Sequence, residues 1–291
     1  DKITILNNVS AQSLIVECEQ VNGIVLDNGE IIRAEYTIIA PGREGADWLS
    51  NQFIKNKIEM VNNAVDVGVR VETNDIIMDE INRHLYEGKF IYNTSVGTTV
   101  RTFCSNPSGH VVVENWNGIM VCNGHAFSDI RLGSNNTNFA LLVAKHFSEP
   151  FKDSNGYGES IARLSNMLGG GVIVQRFGDL IRGQRSTKQR IQESFVTPTL
   201  NATPGDLSLV LPKRILDGII EMLYALDKVS PGVASDETLL YGVEVKFYNM
   251  EVEVNERLES RYPGLYIIGD GSGITHSLSH ASASGVYVAR N

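Results

Sequence analysis

Cysteine is scarce in this 291-residue sequence: Cys18, Cys104 and Cys122 are the whole complement, and no two stand in a Cys-x-x-Cys spacing. A set that is odd and sparse argues for reduced thiols and a cytoplasmic compartment rather than a disulfide framework. No apolar run reaches the 18 residues that a transmembrane helix needs, and no signal peptide is visible. Positive charge is in deficit, with 25 Lys and Arg against 34 Asp and Glu and a net charge of −9. That balance argues against nucleic acid or an anionic membrane as a partner. Also missing are a Ser/His/Asp or metal-ligand pattern and, near Asp1, a Gly-x-Gly-x-x-Gly turn. What remains is ordinary for a globular chain: 42% hydrophobic residues, enough for a sizeable core, and a length that suits two domains at roughly 150 residues each.

The C-terminal stretch is the most informative. Leu265 to Ile268 reads as a buried strand of the parallel type. It stops at Gly269-Asp270-Gly271-Ser272-Gly273, and Ile274 to Ser284, free of Gly and Pro, reads as a helix. Strand, glycine-rich turn and helix together bring backbone N–H groups and a helix N-terminus against a phosphate. An acid inside the turn repels a phosphate but can accept a hydrogen bond from a sugar-alcohol hydroxyl beside it. A flavin dinucleotide, with its ribityl chain next to its pyrophosphate, meets both demands. The expected cofactor contacts are Gly269, Asp270, Gly271, Gly273, Ile274 and Thr275.

The string Gly264-Leu-Tyr-Ile-Ile-Gly-Asp-Gly-Ser-Gly resembles the C-terminal FAD signature of two-dinucleotide-binding-domain flavoproteins. Further strings, in order, are Arg101-Thr-Phe-Cys-Ser-Asn-Pro, Asn123-Gly-His, Asn136-Thr-Asn-Phe-Ala-Leu-Leu, Gln175-Arg-Phe-Gly-Asp-Leu, Ala202-Thr-Pro-Gly-Asp-Leu and Gly242-Val-Glu-Val-Lys-Phe-Tyr. With them the chain resembles bacterial FAD-dependent (NAD(FAD)-utilising) dehydrogenases of uncharacterised substrate, from about Ala34 to Arg290. The resemblance implies FAD as cofactor, with NAD(P)H as an electron donor and a small molecule as substrate. It implies that the Ala40-Pro41-Gly42 turn passes close to the dinucleotide. It also implies a Gly-x-Gly-x-x-Gly unit that this sequence does not show. The expectation is therefore a C-terminal portion of a longer protein, truncated by roughly a hundred or more residues, a βαβ phosphate unit alone needing at least about 30.

The expected fold is α/β of mixed α+β character. Residues 1–65 and 241–291 make an incomplete FAD-binding Rossmann-like domain with a β-meander. Residues 66–240 make an inserted mixed α/β substrate or cap domain. In the first part, Leu14–Glu19, Gly23–Leu26, Ile31–Arg33 and Tyr36–Ala40 read as strands, with Asp27-Asn28-Gly29-Glu30 as a type I′ hairpin turn. Arg43–Lys57 reads as a helix with Trp48, Leu49, Phe53 and Ile54 on one side. In the insert, strands are expected at Val65–Glu72, Thr98–Cys104, His110–Glu114, Met120–Cys122 and Phe139–Lys145. Helices are expected at Gly158–Leu168 and Lys213–Lys228, the latter carrying a core stripe of Ile215, Ile219, Met222, Leu223 and Leu226.

Other candidates surround the chemistry, which in a flavoenzyme belongs to the isoalloxazine. His125 can donate a proton, its ordinary pKa being near neutral. Asn123-Gly-His125 and Asn135 to Asn138 either line the substrate side, with Asn138, Arg182 and His280 as candidates, or are turn formers. His276 and His280 are four apart, yet no further ligand pattern makes them a metal pair. Arg176, Arg182, Arg185, Lys188 and Arg190 stand against one acid, Asp179. They suit an anionic substrate or a nicotinamide phosphate, or a solvated loop; Phe177 alone gives no aromatic platform for RNA. Cys104, with no second cysteine near, reads as a buried structural thiol. The function expected is that of part of a FAD-dependent oxidoreductase, with FAD expected in the intact protein and no activity expected of this portion alone; the alternative is a flavin-binding or interaction module without turnover.

Overall fold

Short apolar runs broken by turn residues drive the first forty positions into β-structure. In the computed structural model, which describes residues 3–42, 45–85, 87–148, 150–151, 153–275 and 277–291 (Ala46 by its backbone alone), the chain divides into two units. Residues 1–63 and 248–291 form one, and residues 64–247 the other.

The first unit opens with an antiparallel meander of β1 (Ala11–Glu17), β2 (Gln20–Leu26) and β3 (Ile31–Arg33). The β2–β3 turn differs from the expected type I′, which needs positive φ at both central residues. Only Gly29 is left-handed, at φ 85°; its N–H bonds to the Leu26 carbonyl at 3.0 Å, and Leu26 N–H bonds to the Glu30 carbonyl at 2.8 Å. The Asn28 side chain takes up the Glu30 N–H at 2.9 Å, which holds Asn28 in an ordinary conformation. After β4 (Thr37–Ile39) comes α1 (Ala46–Lys55), then β5 (Met60–Val61). The start expected for α1, at Arg43, lies outside the described residues. Leu49 and Phe53, one turn apart, are buried, but Ile54 is 69% exposed. Gln52 takes the inward place that Ile54 was expected to hold, because its Oε1 accepts the Leu14 N–H at 3.1 Å.

The second unit begins with β6 (Val65–Asn74), α2 (Asp75–His84), β7 (Ile91–Asn93) and β8 (Thr99–Asn106). A hairpin of β9 (His110–Trp116) and β10 (Ile119–His125) leads to β11 (Asn136–Lys145), α3 (Ser154–Gly169) and β12 (Ile173–Arg176). Then come α4 (Phe177–Ile181), α5 (Lys188–Gln192), β13 (Thr203–Pro204), α6 (Lys213–Asp227) and β14 (Leu239–Lys246). Seven strands form one sheet in the order β13-β12-β14-β6-β11-β8-β7, and every pair but β12–β13 is antiparallel. The stripe on α6 is buried as its helical spacing requires, against Val67, Val71, Phe139 and Leu141 of the central strands. The junction expected between residues 240 and 241 falls inside β14, whose ladder with β6 runs from Leu239 to Lys246.

The chain then completes the first unit with β15 (Glu251–Val252), β16 (Leu265–Ile267) and α7 (Leu278–Arg290). β15 pairs with β5, and β16 pairs in parallel with β4, Leu265 opposite Thr37 and Ile267 opposite Ile39. Leu14, Val21, Ile39, Phe53, Leu265 and Ile267 belong to its core. Of the expected Rossmann-like layout, this two-stranded pair is the only parallel pairing among the described residues of the unit; the large sheet of the other unit is mostly antiparallel. The last helix starts four residues later than expected. Gly273, left-handed at φ 71°, ends a short 3-10 turn, and Ser277 caps α7 by accepting the His280 N–H at 3.2 Å. Among the described residues no helix is long and apolar enough to cross a membrane.

Candidate functional site

Parallel pairing of β4 with β16 puts the carboxyl ends of both strands side by side, and Ile268 N–H continues the ladder to the Ile39 carbonyl at 3.0 Å. Two turns predicted separately thus meet: Ala40-Pro41-Gly42 after β4 and Gly269 to Gly273 after β16. The carboxyl ends of parallel strands are where open α/β sheets bind ligands. Asn249, 9% exposed, joins the turns, its Nδ2 donating to the Asp270 carbonyl at 3.1 Å and the Gly42 carbonyl at 3.4 Å. Asn63 Nδ2 holds the Gly273 carbonyl at 3.0 Å, and Ser284 Oγ accepts the Gly269 N–H at 3.1 Å. None of these three anchors was anticipated from sequence.

The turn uses several of its own amides. Ser272 N–H bonds to Gly269, Gly273 N–H to Asp270, and Ile274 N–H to Ser272 Oγ. The helix N-terminus expected at Ile274 is displaced to Leu278, so its amides do not follow directly from the glycines. One buried group is left over: Thr275 Oγ1 has no hydrogen-bond partner among the described residues. A preformed glycine turn with an unspent buried hydroxyl fits the polyol and phosphate chemistry of a flavin dinucleotide. Gly273 is required as glycine, since a Cβ there would lie 2.5 Å from the Met250 carbonyl oxygen.

The second unit carries charge in its interior. Along β6, alternation turns Val65, Val67, Val69 and Val71 to the apolar core and Asp66, Arg70 and Glu72 to the other side. All three are fully buried, which is tolerable only with partners. Arg70 Nε lies 2.9 Å from Glu244 Oε2 as an ion pair without hydrogen-bond angles. Arg70 also donates from Nη2 to Asn123 Oδ1 at 2.7 Å and from Nη1 to the Cys104 carbonyl at 2.8 Å. Lys246 Nζ sits 3.2 Å from Glu244, and Arg101 pairs with Asp66 at 2.5 Å. Glu72 accepts from the Tyr241 hydroxyl at 2.6 Å and from Thr199. Gly124 closes over this cluster: a Cβ there would stand 2.2 Å from Asn138 Oδ1 and 2.9 Å from Arg70 Cζ.

Asn123-Gly-His125 and Asn136 to Asn138 lie in β10 and β11, not in turns, because each is paired along a full ladder. Asn138 is fully buried, its Oδ1 accepting from Asn106 at 3.3 Å and its Nδ2 unpartnered among the described residues. His125, at the exposed end of β10, packs edge-on against Phe127 with ring centroids 4.9 Å apart. Arg182 pairs with Asp236 at 2.6 Å and with the buried Asp179 at 3.3 Å, and Arg190 and Arg176 also lean on Asp179. The basic stretch is thus two short helices folded round their own acid rather than a solvated loop. His280 is exposed in the first turn of α7, and His276 lies outside the described residues. Cys104, expected to be buried, is exposed at a bulge of β8 with φ 42°; Cys122 is the buried thiol, bonded to the Tyr241 carbonyl at 3.3 Å. Among the described residues no three His, Cys, Asp or Glu side chains are grouped so as to hold a metal.

Burial, and next the Glu72 carboxylate, push the Tyr241 hydroxyl well above the usual tyrosine range. The neutral form is the one the fold keeps. Its stabilisation is present below the unfolded tyrosine pKa of about 10 and is lost as pH rises beyond it. The urea midpoint of wild type should therefore fall above pH 10. In Tyr241→Phe it should be lower throughout, because Glu72 loses a donor, but should fall less steeply. Equal slopes in the two proteins would contradict the assignment.

Residues 64–247 match the family described as FAD-dependent protein, C-terminal domain-like. An uncharacterized protein of Clostridium beijerinckii is 27% identical over 289 residues, a match covering 92% of this chain and 53% of the relative. The chain thus spans about half the length of that curated relative. Among solved structures, an oxidoreductase from Methanosarcina mazei is 12% identical with a TM-score of 0.31, covering 97% of this chain and 49% of that one. PqsL, a probable FAD-dependent monooxygenase from Pseudomonas aeruginosa, is 11% identical with a TM-score of 0.33, covering 96% and 49%. 2,6-Dihydroxypyridine-3-hydroxylase from Arthrobacter nicotinovorans is 9% identical with a TM-score of 0.33, covering 97% and 56%. Scores this low do not establish a shared fold.

Proposed function

The chain belongs to the FAD-dependent protein, C-terminal domain-like family, and from that premise we propose that it works as part of a FAD-dependent oxidoreductase. Residues 1–63 and 248–291 hold the cofactor, and residues 64–247 serve the substrate. The observation that carries the reading is the meeting of Pro41-Gly42 with the Gly269–Gly273 turn at the carboxyl ends of a parallel strand pair. The bound flavin supplies hydride or electron transfer, with a nicotinamide as donor. Gly269, Gly271 and Gly273 keep the turn low enough for close backbone approach. Asp270 and Thr275 offer an acceptor and a hydroxyl to the polyol, and Asn249 fixes the two turns relative to each other.

In the other unit, the polar side of the sheet is the part suited to a substrate. Lys246 and Arg101 are partly exposed at the edge of the cluster and pair with its buried acids, Glu244 and Asp66. They present positive charge backed by fixed acids, an arrangement that orients an anionic or carbonyl-bearing molecule without rearranging. His125, at the exposed end of β10, is the candidate for proton transfer.

FAD titrated into the chain should quench flavin fluorescence saturably, and NADH or NADPH should then bleach the bound flavin near 450 nm. Saturable quenching that Gly269→Ala and Gly273→Ala both leave unchanged would remove the turn from the cofactor site. Binding without reduction would favour a flavin-binding module without turnover.

A further inference from the structure

A cavity of about 710 Å3 opens in the second unit between α5 and residues 197–204. Its size falls within the roughly 300–1,000 Å3 of small-molecule pockets. We propose that it binds a small amphipathic carboxylate, an apolar body with one anionic head. This does not rest on the flavin reading.

The floor is apolar. Val174 and Ile191 are almost fully buried and belong, with Leu200 and Ala202, to one core cluster. The mouth is polar, and the cation on it is Lys188. The acids near it are engaged elsewhere. Asp179 serves Arg182 and Arg190, Glu193 accepts from Gln189 at 2.9 Å, and Glu72 beneath Thr199 is buried and taken by Thr199 and Tyr241. No described acid lies within ion-pair distance of Lys188, so the mouth carries an unopposed positive charge.

The wall is also held open in advance. Asn136 Nδ2 fixes the Thr197 carbonyl at 2.7 Å, and Glu72 fixes Thr199. Thr203 N–H bonds to the Val172 carbonyl at 3.1 Å and Gly205 N–H to the Val174 carbonyl at 3.0 Å. Pro198 and Pro204 stiffen the span between them. A wall pinned at four points loses little entropy when a ligand enters. An apolar floor then asks for an apolar body, and a lone lysine at the rim asks for one negative charge.

The probe is 8-anilinonaphthalene-1-sulfonate, followed by fluorescence in the full chain, with hexanoate and hexylamine as competitors. One saturable site per chain is expected, displaced by hexanoate and not by hexylamine. Lys188→Gln should weaken it about threefold to fivefold, the scale of an exposed ion pair. Gln192→Trp, which fills the mouth from an exposed helix position, should abolish it with the circular dichroism and melting temperature unchanged. Binding that survives Gln192→Trp, equal displacement by both competitors, or no saturable binding by the folded chain would each overturn the proposal.

Discussion

Replacing Glu244 by leucine is expected to cost about 3–5 kcal/mol of folding stability, a large share of the roughly 5–15 kcal/mol of an ordinary domain. The reason lies in what stays behind. Arg70 has no exposed surface, and Glu244 is the acid facing it at 2.9 Å. Asn123 and the Cys104 carbonyl satisfy two of its donors but leave its charge uncompensated. Lys246 loses its partner too. Removing both charges reverses the logic: Arg70→Met with Glu244→Leu should recover most of the loss, since a buried pair replaced by apolar groups of similar size is often neutral. The measurement is urea unfolding followed through Trp116, which stacks on Phe247 at 4.2 Å and so reports the second unit. Trp48, the other tryptophan, is changed to Phe to keep the first unit silent. A single variant that loses less than about 1 kcal/mol, or a double variant no better than the single, would show that the pair is not desolvated as described.

Gly273→Ala should lower FAD affinity at least about tenfold, or 1.4 kcal/mol. A left-handed residue costs an L-amino acid roughly 1–2 kcal/mol at φ 71°. Here the added Cβ also meets rigid atoms, the Met250 carbonyl at 2.5 Å and the Asn249 carbonyl at 2.7 Å. The turn must move, and with it the link from Asn249 to Asp270 and Gly42. Gly269→Ala separates cofactor from fold. Its φ is positive too, at 73°, but its added Cβ meets no atom of the described residues within 4 Å, so any loss of affinity beyond the conformational cost reports the ligand side. Isothermal titration with FAD, beside a melting curve for each variant, gives both numbers. Wild-type affinity in both variants would place the cofactor elsewhere.

The sequence reading located elements better than it located surroundings. The α6 stripe and the strand before Gly269 were legible because burial there follows one simple period. That Ala40-Pro41-Gly42 lies by the dinucleotide was expected only through family resemblance, and its meeting with the glycine turn was not expected at all, because the parallel register that makes it is a long-range fact. The Arg70 cluster was invisible for a specific reason. Alternate polar residues on β6 look like a solvent-facing edge, and nothing local says that Gly124 and its neighbours cover them. Asn136 to Asn138 misled in the same way, since asparagines that favour turns in isolation are held extended by the ladder with β6, and Asn138 by β8 as well. β14 went unassigned because its Glu244 and Lys246 break the apolar run, although both are paired inside the fold.

The ladder that sets Lys246 opposite Asp66 places the entrance and exit of the inner unit one strand apart, about 5 Å. During synthesis, Ile39 must wait for Ile267 to leave the ribosome, about 11–46 s at 5–20 residues per second. The inner unit lies wholly between them and can finish folding in that interval. Once folded, it acts as a narrow clasp, and the loop that must close to pair β4 with β16 shrinks to its two short flanks. The shortening spares about 1–2 kcal/mol of closure entropy. The outer unit therefore inherits part of its stability from its guest, and a variant that unfolds residues 64–247 should slow the pairing of β4 with β16.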